Sequence, residues 1–284
     1  MRILRVFPDL KDERLMSLFY KGVKAQWASD SVDWSMPVGL DEEEKTALAH
    51  LLTPVYLGEQ TAMAGAGTIL PQMMFNQETE AQLYLGTMLL DEARHFETLT
   101  RLYLTLDRRP YELRDLKGMY RYHHRLLQAR ERHEWVWGIL ISDLFAKHFY
   151  GVFADQRPDT LFGHLSKRIL VDEARHQAFS QRYLSQAMGE LGEERRAGLL
   201  SLAHDLLEIV ADLSHHLGAD AERVGLDGGQ LVSGLIRDVN RKAEKIGLGQ
   251  DIVEDEVEED QLLTEWRQEI DAHDAHKEEA VSGT

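Results

Sequence analysis

The pentapeptide DEARH occurs twice, as Asp91–His95 within AQLYLGTMLLDEARHFETLTRLYLTL (81–106) and as Asp172–His176 within LSKRILVDEARHQAFSQRYLSQAM (165–188). Both runs repeat apolar residues at helical spacing and lack the alternation of strands. Glu and His three positions apart project from the same side of a helix, one turn apart. Each copy therefore offers one carboxylate and one imidazole to a common point, and two copies on packed helices make four ligands.

Two hard divalent cations require more negative charge than two carboxylates supply, so the partner helices should each contribute an acid at the same depth. In an antiparallel hairpin, residues equidistant from the connecting loop lie level. Reflecting Glu92 through a loop near Phe75 and Asn76 lands on Glu59, inside the apolar run VYLGEQTAMAGA (55–66). Reflecting Glu173 through Arg157 and Pro158 lands close to Asp143, inside ILISDLFAKHFYGVF (139–153). Glu134, the competing acid, lies about 13 Å further along that helix at 1.5 Å per residue. The bland alternatives are an Asp143–Lys147 bridge one turn apart and a DEARH that is only a surface ion-pair motif. Burying two Glu–His pairs and two further acids together favours a shared cation over either.

The rest of the chain is consistent with a helical body. Its 284 residues are 43% hydrophobic and 29% charged, enough for a sizeable core. The formal charge of -17 argues against nucleic-acid and anionic-membrane partners. With no cysteine, any metal must be held by oxygen and nitrogen. The first 20 residues lack a signal-peptide pattern and no stretch is long and apolar enough for a membrane span, so a cytoplasmic location is expected. Residues 1–248 read as one helical domain and 249–284 as an acidic tail. Asp251 to Glu279 holds 13 acids against Arg267 and Lys277, and Leu262, Leu263, Trp266 and Ile270 would form one amphipathic helix there.

Asp41 with Glu44 predicts a capping box that opens a helix running towards Pro71 and kinked at Pro54. Asn76 is read as the cap of the next helix, a third is expected over 121–153, a fourth over 165–188, and two more near 194–217 and 229–246. His50, His123, His124, His133, His164, His204, His215, His216, His273 and His276 are read as mainly surface or capping residues. His148 is left outside the ligand set, and Trp27, Trp34, Trp135 and Trp137 are read as packing rather than electron relay.

These residues resemble the ferritin-like di-iron carboxylate superfamily, in its oxidase and oxygenase branch, which is ribonucleotide reductase small-subunit-like. The resemblance covers roughly residues 40 to 185. It implies an all-α, ferritin-like four-helix bundle with a dinuclear metal site and extra flanking helices. Glu59, Glu92, His95, Asp143, Glu173 and His176 occupy the six ligand positions, Glu92 and Glu173 being the bridging, catalytic carboxylates. Asp91 and Asp172 match the acids that orient the liganding histidines, with Arg94 and Arg175 neutralising them. Asp at 143 departs from the usual Glu. Leu99 stands where the reductase subunit carries its radical tyrosine, Ile169 where arylamine N-oxygenases carry an extra histidine, Lys147 where multicomponent monooxygenases have threonine, and Ala62 where ligand-binding oxidases have a crosslinking valine.

The resemblance implies two iron ions, with manganese at one position as the alternative, and dioxygen as co-substrate. The expected activity is oxygenation, N-oxygenation or desaturation of a small organic substrate, fed by an external electron donor, in a monomer or homodimer. The expected pocket wall is Ala62, Ala66, Met88, Leu99, Ile139, Ala146, Ile169 and Ser180. The rivals are a reductase small subunit without the usual tyrosine, a ferroxidase, and a metal-free helical scaffold that binds a partner.

Overall fold

The computed structural model describes residues 10–249 except 113 and 130. The acidic tail beyond Gly249, with its expected amphipathic helix, His273 and His276, lies outside the described residues. Among the described residues there are nine α-helices, one short 3-10 turn at Ser29–Ser31, and no strand. The helices are α1 (Glu13–Lys24), α2 (Glu42–Phe75), α3 (Thr79–Leu106), α4 (Lys117–Leu127), α5 (Arg132–Gln156), α6 (Leu161–Ala187), α7 (Glu193–His216), α8 (Gly218–Val224) and α9 (Gly228–Ile246). No helix among them is long and apolar enough to cross a membrane.

Two long antiparallel hairpins, α2–α3 and α5–α6, form the centre and close on each other through α2–α5 and α3–α6. The expected capping box opens α2: Asp41 Oδ1 accepts from the Glu43 and Glu44 amides, and Glu44 Oε2 accepts from the Asp41 amide at 2.9 Å. α2 continues as helix through Pro54 and past Pro71. Asn76 does not open α3; it closes α2, with its amide on the Gln72 carbonyl, and Gln77 turns the chain at φ 61° before α3 begins. The expected third helix is two. Its sequence carries no stop signal, but Glu131 adopts an extended conformation, and Arg132 is held by Glu78 of the α2–α3 turn at 2.7 Å. This break lets α4 turn aside onto α7 while α5 enters the bundle.

α1, not expected from the sequence, is capped by Asp12 and buries Leu15, Met16 and Leu18 against α3 and α6. It delivers Gln26 and Trp27 to the bundle interior. At the opposite side, α7, α8 and α9 cover α4, α5 and α2. Gly65 of α2 lies flat against the Trp135 indole of α5, and a Cβ at this position would fall inside the ring. Gly65→Ala should therefore destabilise the fold by about 1–3 kcal/mol, read as a drop in melting temperature of about 2–4 °C per kcal/mol.

Candidate metal centre

Helical spacing and hairpin register bring the six sequence-derived residues together. Glu59, Glu92, His95 and Glu173 each offer a ligand atom within 4.8 Å of one another, and so do Asp143, Glu173 and His176. All six are buried, both histidines completely. Glu173 belongs to both groups: its two oxygens lie 3.4 Å from Nδ1 of His95 and of His176. Glu92 Oε1 approaches His176 Nδ1 at 3.2 Å, and Glu59 Oε2 approaches His95 Nδ1 at 3.5 Å. Glu92 and Glu173 thus occupy the middle, with Glu59 and Asp143 at the ends. Glu134 is not part of the cluster.

The donor set is unsatisfied by protein alone. Nδ1 of His95, Nδ1 of His176 and Oδ2 of Asp143 are buried without a hydrogen-bond partner. Buried polar atoms left unpaired cost free energy, and here they converge on one volume. Four carboxylates and two imidazoles, with two carboxylates reaching both halves, fit a dinuclear site for hard or borderline divalent cations.

Behind this layer lies a second, electrically balanced one. Arg94 Nη2 donates to Asp91 at 2.6 Å and to Asp172 at 2.7 Å, while Arg175 Nη2 donates to Asp172 at 2.6 Å and to Asp91 at 2.9 Å. The histidines join it crosswise: His95 Nε2 lies 3.1 Å from Asp172, and His176 Nε2 3.2 Å from Asp91. The acid of each DEARH therefore orients the imidazole of the other copy. With Nε2 as donor, the neutral ring is fixed in the tautomer that turns its Nδ1 lone pair to the cluster, where a cation in place of a proton would take it.

The segment that follows α1 completes this layer. Gln26 Nε2 donates to Asp91 Oδ1 at 2.8 Å, and Trp27 Nε1 donates to Asp172 Oδ2 at 2.9 Å. The Arg94 guanidinium sits 4.6 Å over the Trp27 ring. The expectation that Trp27 serves only packing is corrected: its indole is bonded to the acid that holds His95. Neither residue carried a sequence signal, because contacts across 65 and 145 positions leave no local pattern.

Ionisation follows from this geometry. Burial, then the Glu59 charge, pushes the Glu92 carboxyl well above its usual range, and burial with Glu173 does the same to Asp143. Burial opposes charge on the histidines. The Glu59 charge and the nearby Asp172 and Glu173 carboxylates nevertheless outweigh it at His95, and the Asp91 and Glu173 carboxylates lift His176 to about 10. Burial raises Glu173, yet the imidazoles of His176 and His95 beside it dominate and lower it to about 2. Asp172 is likewise held below its usual range, by His95 and Arg175 against burial. Without metal the cluster therefore carries protons on its imidazoles and on its most crowded acids.

The remaining side chains sort themselves. Lys147 reaches Asp238 of α9 at 3.8 Å rather than pairing with Asp143, and His148 also bonds Asp238, at 3.0 Å, outside the ligand set as expected. His133 and His164 are buried, not surface residues. Burial lowers the His133 ring to about 4. An apolar cavity of about 100 Å³ opens onto Glu59, Glu92, Asp143 and Glu173. Ala62, Ile139 and Ala146 line it as expected; Ala66, Met88, Leu99, Ile169 and Ser180 do not. It extends instead towards α4 and α7–α9, with Met119, Tyr122, Leu213 and Leu231 in its wall, because those helices cover the α2–α5 side.

No protein-family model matches the chain, and no curated protein matches its sequence. Solved structures do match. One is a variant of an R2-like ligand-binding oxidase with an anaerobically reconstituted Mn/Fe cofactor, at TM-score 0.70 and 18% identity over 84% of this chain and 95% of that one. The chain has the R2-like, ferritin-like fold. An R2-like ligand-binding oxidase with an aerobically reconstituted Mn/Fe cofactor aligns at TM-score 0.64 and 19% identity, over 84% and 94% of the two chains. The R2-like ligand-binding oxidase from Sulfolobus acidocaldarius aligns at TM-score 0.64 and 17% identity, over 83% and 90%.

The metal-free centre has a pH signature. His176, raised from 6.5 to about 10, contributes stability that is complete below 6.5 and lost as pH rises through 10. Glu173, lowered from 4.5 to about 2, contributes stability present above 4.5 and lost as pH falls through 2. Chelator-treated protein should lose melting temperature progressively from pH 6.5 to 10, and Fe(II) or Mn(II) should raise it and flatten that decline by displacing the protons. The same profile with and without metal would count against the site.

Proposed function

We propose that this protein is an oxidase or oxygenase that holds two iron ions, or one manganese and one iron, and uses dioxygen to oxidise a small apolar organic substrate. The observation that carries this reading is the apolar cavity ending on the carboxylates of a buried six-residue donor set. Glu59, Glu92, His95 and Glu173 would hold one ion, and Asp143, Glu173, His176 and Glu92 the other. Loaded with metal, such a centre supplies reducing electrons and open positions for dioxygen.

The chain's own residues do the rest. Glu173 and Glu92 span the two halves and keep them at a fixed separation. Asp91 and Asp172 hold the imidazoles in the liganding tautomer, and Arg94 and Arg175 keep those acids ionised. Asp143, one carbon shorter than Glu, leaves more room at the end of the site facing Ala146 and Ile139. The cavity wall excludes water from the reacting substrate. The hydrogen-bonded sequence Trp27–Asp172–His95 runs from a half-buried indole to a liganding ring and offers an entry path for an external electron donor.

The apolar wall also separates this reading from iron storage, since cations entering a ferroxidase centre need a polar path. Metal analysis and oxygen-consumption measurements test the proposal. Glu92→Ala and His176→Ala should each lower bound metal to about one ion or fewer per chain and reduce oxygen consumption by about 10²-fold or more. Undiminished oxygen consumption in both variants would remove this site as the seat of the chemistry.

A further inference from the structure

Nearly every residue lining the inner cavity is buried; the exceptions are Gly58, Ser142, Phe145 and Ser214. Ser214 also lines a wide surface depression formed by the end of α7, α8 and the start of α9, and Leu226 is shared by both spaces. The two spaces therefore meet at Ser214 and Leu226. Leu226 sits in the tight turn after α8, its amide bonded to the Ala221 carbonyl at 2.8 Å, and Gly225 before it turns at φ 82°. Across the opening, Gly228 leaves room for the Ser214 hydroxyl, which a Cβ at 228 would approach to 2.5 Å. What stands between the two spaces is thus one small polar side chain and one leucine, with a glycine beside them on the outer side.

We propose that substrate enters the cavity between α7 and the α8–α9 turn, with Ser214 and Leu226 as the two sides of the entrance, and that it is an uncharged, mainly apolar molecule. The second part follows from the charges along the route. The outer depression carries Glu222 and Asp227 with one histidine, His215, and no Lys or Arg in its lining, and the titratable groups at the inner end are all carboxylates: Glu59, Glu92, Asp143 and Glu173. An anionic amphiphile would meet two carboxylates at the lip and then a mainly apolar inner wall without Lys, Arg or His to compensate its desolvation, ending on four more carboxylates. The inference rests on the oxidase reading only for what lies at the inner end; the passage itself is independent of metal.

The chain contains no cysteine, so Ser214→Cys creates a unique thiol at the entrance that can be alkylated after folding. The probe is N-phenylnaphthylamine, an uncharged dye that fluoresces when taken into apolar surroundings, mixed with the full chain in a stopped-flow instrument. Unmodified Ser214→Cys protein should take up the dye as the native chain does. After reaction with N-benzylmaleimide its uptake should slow by about tenfold or more. Ser201→Cys, at an exposed position on α7 outside both spaces, should show no change when alkylated. Decanol should protect the Ser214→Cys thiol from alkylation and displace the dye, and decanoate should do so at least about tenfold less well.

Undiminished dye uptake after alkylation at 214, or no uptake by the native chain, overturns the entrance. Decanoate competing as well as decanol overturns the substrate class. Dye uptake that behaves as expected in a chain that binds no metal would instead defeat the oxidase reading and leave the passage standing.

Discussion

Six carboxylates buried within one slice of a helical bundle are the constraint around which this molecule is organised. Each isolated buried charge would cost several kcal/mol, so the slice must be neutralised locally or not form at all. The protein does so in two layers by different means. Asp91 and Asp172 are balanced by Arg94 and Arg175 in a cage of four short hydrogen bonds. Glu59, Glu92, Asp143 and Glu173 have only two imidazoles against them, and this imbalance is what a pair of divalent cations corrects. The Asp–Arg layer is balanced in charge by itself and so can hold the metal-facing residues in place in advance of metal.

The helices outside the central four follow from the same constraint. The segment after α1 seals the caged layer with one amide and one indole, both donating to its acids. On the opposite side α7, α8 and α9 lie over α2 and α5 and leave an apolar space against the ligand carboxylates. One flank of the centre is therefore polar, hydrogen-bonded and reached by the half-buried Trp27, and the other is apolar and holds the cavity. That division suits the proposed activity, in which electrons and an organic molecule would arrive from different directions.

Much of this was legible in the sequence because it depends on local spacing. DEARH repeated on two helical runs fixed four residues, and the register of a hairpin is a rigid enough ruler that reflection alone reached Glu59 and Asp143. Reflection works where the two helices of a hairpin run side by side without a break, as in α2–α3 and α5–α6. What escaped has no such ruler. α4 and α5 separate within a stretch of good helix formers because packing on α7 and the Glu78–Arg132 contact override propensity. Trp27 and Gln26 reach their acids across long sequence separations. Burial of His133 and His164, and the turn of the cavity towards α7–α9, depend on where flanking helices settle, which no periodicity records.

The crosswise arrangement of acid and imidazole carries one more implication. Each pentapeptide orients a ring that it does not own, so the α2–α3 half and the α5–α6 half are each unfinished alone. A gene severed between the hairpins would encode two pieces with histidines free to spin, and only their reunion would restore aim. Duplicated motifs are often treated as redundant spares; here the two copies are interlocked, and the loss of either disarms both.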